Sequence, residues 1–401
     1  MMNAVLESKK SELLSGIKVV DVDAHYTEPA DLWTSRAPAR WKDRVPQIRE
    51  INGKKVWCID GGILTDSIQP FCQIKKDGTK TPGLEYMNYV PEQAHAAAYN
   101  VKERLKVLDA EGIWGQIVYP NLLGFGGAKQ ATIVDEELRL VSVQLFNDAM
   151  AELQEESGNR IFPMALMPWW DIKAVVAEIK RCHGMGLRGI NTNSDPQNHG
   201  LPDLAESYWN PMWETAVELD LPINFHIGAS DQTMDWWGDQ PWPSHSDERR
   251  VAISASMLSL CNIRILANII TCGVLDRFPS LKFVSVESGI GWIPFMLESL
   301  EYQYKQYFTK KENFLQLSPW EYFERNIFST FWFERVDFAH IVKQVGVNNV
   351  MFETDFPHPS CLYPNAAEFL SGELSKLDKE SRSKIMGGNA MKVYGLPVGR
   401  S

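Results

Sequence analysis

The sequence predicts a single α/β domain, residues 1–401, of the (β/α)8 (TIM) barrel class, and three observations carry that prediction. From residue 113 onward, short apolar runs alternate with segments whose apolar residues recur every three or four positions, the signature of strand–helix units. Together with the Val19–Val22 run near the start, these apolar runs number eight, the strand count of the closed barrel. Several of them end in Asp, Glu or His, and barrels of this class carry their chemistry at the C-terminal ends of the strands. The chain of 401 residues, 44% hydrophobic and 23% charged, suffices for such a core with an insertion.

The elements follow in order. Residues 1–16 form a polar leader. The first strand ends at His25, and strand alternation places Asp21, Asp23 and His25 on one face. Residues 27–90 are rich in Pro, Gly and Trp and read as an insertion covering the barrel mouth. Within it, Asn52-Gly53 between two alternating runs signals a hairpin. A helical pattern spans 92–111, and the second strand 113–120. The alternation continues with helix 135–157, strand 161–167, helix 171–183, strand 187–191, helix 211–220 and strand 222–226. It then runs through one long helix 250–272, strand 281–287, helix 292–307, strand 326–330, helix 338–345 and strand 350–355.

The net charge of −11 and pI of about 5.3 argue against nucleic acid or an anionic membrane as partner. The six cysteines include no Cys-x-x-Cys pair and form no disulfide framework. The N-terminus lacks the apolar core of a signal peptide, and no run reads as a membrane span. These features together predict a cytoplasmic protein with a small-molecule substrate. The aromatic surface around residues 292–307 predicts a homodimer.

Buried Asp and His side chains at the end of an apolar strand are costly unless something binds them, and a divalent cation is the economical choice. The strand ends supply Asp23 and His25, then His226, Glu287 and Asp355, with Tyr119 at the end of the second strand. Two imidazoles and two carboxylates suit one zinc ion, with manganese or iron as alternatives. No lysine ends the fourth strand, so a carbamylated bridge to a second metal is not expected. Each residue has a plainer reading as well. Asp21 can brace the barrel, His226 alone can be a core histidine, Glu287 can be a structural acid, and His358 can fix its loop. Trp236, Trp237 and Trp242 can line a substrate wall or pack a loop, and Trp33, Trp169 and Trp170 can extend that wall. Tyr119, Trp236, Trp237 and His358 are the expected substrate-facing residues.

Over residues 19–394 the pattern Asp21-x-Asp23-x-His25, then His226, then Asp355-Phe356-Pro357-His358 resembles the amidohydrolase-related (type 2) family. Its members include aminocarboxymuconate-semialdehyde and resorcylate decarboxylases. The resemblance implies a metal-dependent barrel enzyme with Asp23, His25, His226 and Asp355 around the ion. The chain departs from the family pattern at the sixth strand, where Glu287-Ser288-Gly289 stands in place of His-Gly-Gly. Glu287 is therefore expected to move the proton, with Asp355 beside it. The reading is a hydrolase that directs a metal-activated water at a small cyclic or aromatic carbonyl or carboxylate compound. The alternatives are a non-oxidative decarboxylase of the same family and a non-catalytic small-molecule binder.

Overall fold

Residues 12–125, 132–229, 242–311 and 314–397 are described by the structure, a computed structural model. The first strand, β1 (Val19–Asp21), precedes a three-stranded antiparallel sheet of β2 (Gln47–Ile51), β3 (Lys54–Ile59) and β4 (Gly62–Thr65). The parallel strands then follow as β5 (Ile113–Val118), β6 (Ile161–Pro163), β7 (Ala165–Leu166), β8 (Ile190–Asn191) and β9 (Ile223–His226). They end with β10 (Phe283–Val286), β11 (Ile327–Phe331) and β12 (Val350–Phe352). β6 and β7 are one barrel strand interrupted at Met164, whose N–H donates to Val118. The seam between β12 and β1 closes through the Val22 N–H on Phe352 O at 2.9 Å and the Asp355 N–H on Asp23 O at 2.9 Å. Eight strands thus form a closed α/β barrel. Their residues are mostly apolar because both faces are covered, one by the barrel interior and one by helices.

β1 does not alternate to its end. Val20 and Val22 both point into the barrel core. Asp21 pairs in register with Gln116 but His25 with Tyr119, so four steps on this strand match three on its neighbour. The extra residue is a bulge. It moves Asp23 and His25 to the inner face and leaves Asp21 outside, where it accepts from Gln116 and Thr354. The expectation of three polar groups on one face is thereby corrected, and Asp21 is a brace.

Helices α1 (Val101–Glu111), α2 (Glu136–Glu156), α3 (Ile172–Gly184) and α4 (Asn210–Glu218) lie between the earlier strands. α5 (Asp247–Leu258), α6 (Cys261–Thr271), α7 (Val274–Arg277), α8 (Ile293–Tyr307), α9 (Pro319–Asn326) and α10 (Phe338–Val345) follow. The chain finishes with α11 (Ala366–Leu374), α12 (Lys379–Ser383) and α13 (Asn389–Val393). Two expected helices are shorter than predicted. The 92–111 pattern is helical only from Val101, because His95 and Asn100 each cap a new N-terminus. The 250–272 helix divides near Ser259, where the Ser259 hydroxyl donates to Ser256 O. The combined stretch Asp247–Thr271 is long and apolar enough by length and composition to cross a membrane, against expectation. Its second half packs on the barrel: Ile265, Leu266, Ile269 and Ile270 are buried, and Asn262 donates to Phe225 O.

The C-terminal segment fills the base of the barrel. Val393, Tyr394 and Leu396 join the interior cluster, and the Tyr394 hydroxyl donates to Asn224 at 2.8 Å. Gly387 permits the approach, since a Cβ there would lie 1.9 Å from Lys18 O.

The hairpin at Asn52-Gly53 forms as predicted. Ile51 pairs with Lys54, and both turn residues have positive φ (52° and 75°), as a two-residue primed turn requires. Beyond this sheet the chain returns to the loop after β12, with the Gln73 N–H on Pro357 O and Lys80 on Cys361 O.

Candidate metal centre

Four barrel strands deliver the donor cluster. The β1 bulge supplies Asp23 and His25, β9 supplies His226, the turn after β10 supplies Glu287, and the turn after β12 supplies Asp355. Glu287 and Asp355 both adopt left-handed backbone conformations, with φ of 55° and 59°, which turn their side chains inward at the strand ends. Non-glycine residues hold that conformation only where the surroundings enforce it. The Glu287 N–H is clamped by Thr330 Oγ1 at 3.1 Å and Glu353 Oε2 at 3.2 Å.

The donor atoms converge. His226 Nε2 lies 3.1 Å from His25 Nε2, 3.3 Å from Asp23 Oδ1 and 3.2 Å from Glu287 Oε2. His25 Nε2 lies 3.6 Å from both Asp23 Oδ1 and Asp355 Oδ1. His226 Nδ1 donates to Ile227 O at 2.6 Å, which leaves a lone pair on Nε2 facing the cluster. Both oxygens of Asp23 and Oδ1 of Asp355 are buried without a hydrogen-bond partner. Donors about 2.0–2.2 Å from a common ion stand roughly 3.0–3.5 Å apart, close to the separations observed. Two overlapping sets of donors fit a divalent cation by geometry: one atom each from Asp23, His25, His226 and Glu287 lies within 4.8 Å of the others, and so does one each from His25, Glu287, Asp355 and His358. Asp23, His25, His226 and Asp355 are all fully buried.

The electrostatics agree. Burial, then Asp355 and Asp21, raise the Asp23 carboxyl well above its usual range. Burial, then Asp355, Asp23 and Glu353, do the same to Glu287. Burial lowers His226 to about 4, and burial with His358 and His226 nearby lowers His25. Crowded acids beside neutral imidazoles form a site that a cation relieves.

The sequence profile of the amidohydrolase family matches residues 126–396. The chain belongs to the amidohydrolase family. This amidohydrolase is 23% identical over 305 residues to a gamma-resorcylate decarboxylase from Polaromonas sp. (strain JS666), an alignment covering 73% of this chain and 86% of that protein. A gamma-resorcylate decarboxylase from Rhodococcus jostii (strain RHA1) is 24% identical over 312 residues, covering 73% and 87%. Among solved structures, an amidohydrolase from Mycobacterium avium subsp. paratuberculosis K-10 superposes with a TM-score of 0.70 at 21% identity, covering 96% of this chain and 100% of that one. The 5-carboxyvanillate decarboxylase from Novosphingobium aromaticivorans, complexed with manganese and 4-hydroxy-3-methoxy-5-nitrobenzoic acid, gives 0.66 at 16% identity, covering 96% and 97%. These likenesses place the enzyme in the barrel fold.

The surroundings of the amidohydrolase centre differ from expectation in several places. Tyr119 lies beside His226, with ring centroids 5.0 Å apart, but its hydroxyl faces down the barrel and donates to Asn224. Trp236 and Trp237 lie outside the described residues. Trp242 is 40% exposed and stacks on His245. Trp33 is buried on Trp57 and donates to Ser142 O, so it packs the insertion on α2. The aromatic ring at the centre is Phe125, with centroids 4.5 Å from His226 and 5.0 Å from His25. Nothing in the sequence pattern marked it. Gly228 leaves it room, since a Cβ there would meet the Phe125 ring at 2.8 Å. Glu353 is a fully buried carboxyl one residue past β12, with Oε1 unpartnered, and it too was missed. It was readable as Glu353-x-Asp355, a second acid in the same run.

His358 is held closely. Its Nδ1 lies 3.0 Å from Asp355 Oδ1, its Nε2 lies 2.9 Å from Asn121 Oδ1, and its ring stacks on His25 at 3.6 Å. Ser360 donates to the other oxygen of Asp355.

Proposed function

We propose that this enzyme is a metal-dependent carboxy-lyase that removes CO2 from a small aromatic carboxylic acid without oxidation. The observation that carries the reading is Glu287. Its side chain is 10% exposed, whereas those of Asp23, His25, His226 and Asp355 are fully buried, so it stands at the open edge of the cluster. Its surroundings favour the protonated form, which suits delivering a proton better than activating a water. The decarboxylases among its relatives support the same reading.

Asp23, His25, His226 and Asp355 would hold one divalent ion. When bound, the ion supplies Lewis acidity for oxygens of the substrate. Glu287 gives its proton to the ring carbon that bears the carboxylate. The bond from that carbon to the carboxylate carbon then breaks, its electron pair returns to the ring, and CO2 leaves. Glu287 recovers a proton from water at its exposed edge. Phe125 walls the site with an aromatic face. Tyr119 acts from below, holding Asn224 and packing on His226, while Trp236 and Trp237 remain proposed substrate contacts.

We further propose zinc as the resident ion on the mixed nitrogen and oxygen set. Manganese, present in the Novosphingobium structure, is the next candidate. The six free cysteines suit a reducing cytoplasm. Residues 27–90 are proposed to cover the mouth as part of one domain. The exposed Phe295, Tyr302 and Tyr307 on α8 are proposed to be covered in a homodimer.

The test is a panel of hydroxylated benzoates, esters and lactones with metal-loaded protein. CO2 released in step with substrate loss supports the proposal. Acid released from an ester or lactone without CO2 would establish the hydrolase reading instead. No turnover at full metal loading would leave a small-molecule binder.

A further inference from the structure

The turn that carries Glu287 is gripped on both sides. Before it, the Glu287 N–H is fixed by Thr330 and Glu353. After it, the chain crosses to α8 through Ser288, Gly289, Ile290 and Gly291. A single oxygen from another loop collects this crossing. Glu334, three residues past β11, accepts through Oε1 from the Ile290 N–H at 2.7 Å and the Gly291 N–H at 2.8 Å. The approach is close enough to demand glycine: Gly289 has a φ of 71°, and a Cβ there would lie 2.9 Å from Glu334 Oε1. The other oxygen, Oε2, is shut away from solvent without a hydrogen-bond partner. A carboxyl so placed is costly, and its one visible task is to hold these two amides. Glu287 itself has a φ of 55°, which a non-glycine residue keeps only while its surroundings enforce it. Releasing the far side of the turn lets that backbone relax and carries the Glu287 side chain away from the cluster.

We propose that Glu334 is the positioning residue for Glu287: by gathering the Ile290 and Gly291 amides it locks the turn after β10 and keeps the Glu287 carboxyl at the cluster, 3.2 Å from His226 Nε2. This rests on the reading of Glu287 as the proton donor and adds a residue from a different loop that acts through backbone alone. The task needs an acceptor oxygen rather than a charge, so a glutamine can perform it.

The deciding experiment has two arms on the full-length protein. The first is a double-mutant cycle with metal loaded, read as CO2 release from the best benzoate of the panel. Glu334→Ala should lower kcat about 10–100-fold with KM and metal content unchanged. In the Glu287→Gln background the same substitution should cost nothing further, because the group it aims is already disabled. An equal loss in both backgrounds would overturn the proposal and make Glu334 a general brace. Glu334→Gln should turn over like the unsubstituted enzyme, and a loss matching that of Glu334→Ala would also overturn it. The second arm is amide hydrogen exchange on unsubstituted protein and needs no turnover. The Glu287, Ile290 and Gly291 amides should open together with one shared protection, as parts of a single lock. Gly291 exchanging freely while Glu287 stays protected would overturn the lock. If the unsubstituted enzyme releases no CO2, the carboxy-lyase reading fails and the exchange arm still decides for or against Glu334, as it does if the alanine variant fails to fold.

Discussion

Asp21 and Asp23 are two residues apart, fully buried, and of opposite character. Asp21 is saturated. Its carboxylate accepts from the Thr354 N–H at 2.8 Å, the Thr354 hydroxyl at 2.6 Å and the Gln116 amide at 2.7 Å. Burial raises it to about 6, with those bonds opposing the rise. Asp23 accepts nothing on either oxygen. The two environments touch through Arg104, which donates to Gln116 Oε1 on one side and to the His25 carbonyl on the other. Burial alone does not separate a structural acid from a ligand. A saturated carboxylate is finished, whereas an unpartnered one awaits a positive charge.

That contrast can be tested from its strongest consequence downward. Asp23→Ala and His226→Ala should each drop bound metal to background by elemental analysis; retention in both would erase the distinction. Glu287→Gln should keep full metal content but lose about 10²–10⁴-fold in turnover, the usual span for a proton-transfer group. A variant as active as the unsubstituted enzyme would return Glu287 to a purely structural part. Chelation should lower the melting temperature. Restoring metal at a hundred times its dissociation constant should add about 2.7 kcal/mol of stability, and a melting curve indifferent to metal would argue against a folded-state site. Asp21→Asn should bind metal normally while losing about 1–3 kcal/mol in urea unfolding, because an amide mismatches its donors. Metal loss in that variant would blur the line between the two aspartates.

Much of this was legible in the sequence. The strand-ending Asp23, His25, His226, Glu287 and Asp355 gather at one end of the barrel in two overlapping clusters, because residue order fixes which end of each strand a side chain tops. The Asn52-Gly53 turn was equally plain, since few residue pairs accept two positive φ angles. The bulge in β1 was not legible. Its evidence is a register between Asp21–Gln116 and His25–Tyr119, and register is a property of two strands together. Phe125 stayed hidden for a related reason: it gains its place from His25 and His226, each about a hundred positions away. Helix 250–272 was overread because its apolar content is continuous and the interruption at Ser259 is made by hydroxyl groups that the apolar periodicity does not report.

The seat of Tyr394 has a bearing on biosynthesis. Because Val393, Tyr394 and Leu396 pack the foot of the barrel, the ribosome must make nearly every described residue before the interior can dry out. Until then the polypeptide emerging from the tunnel holds eight sticky strands around an unsealed hole, a state suited to chaperone capture.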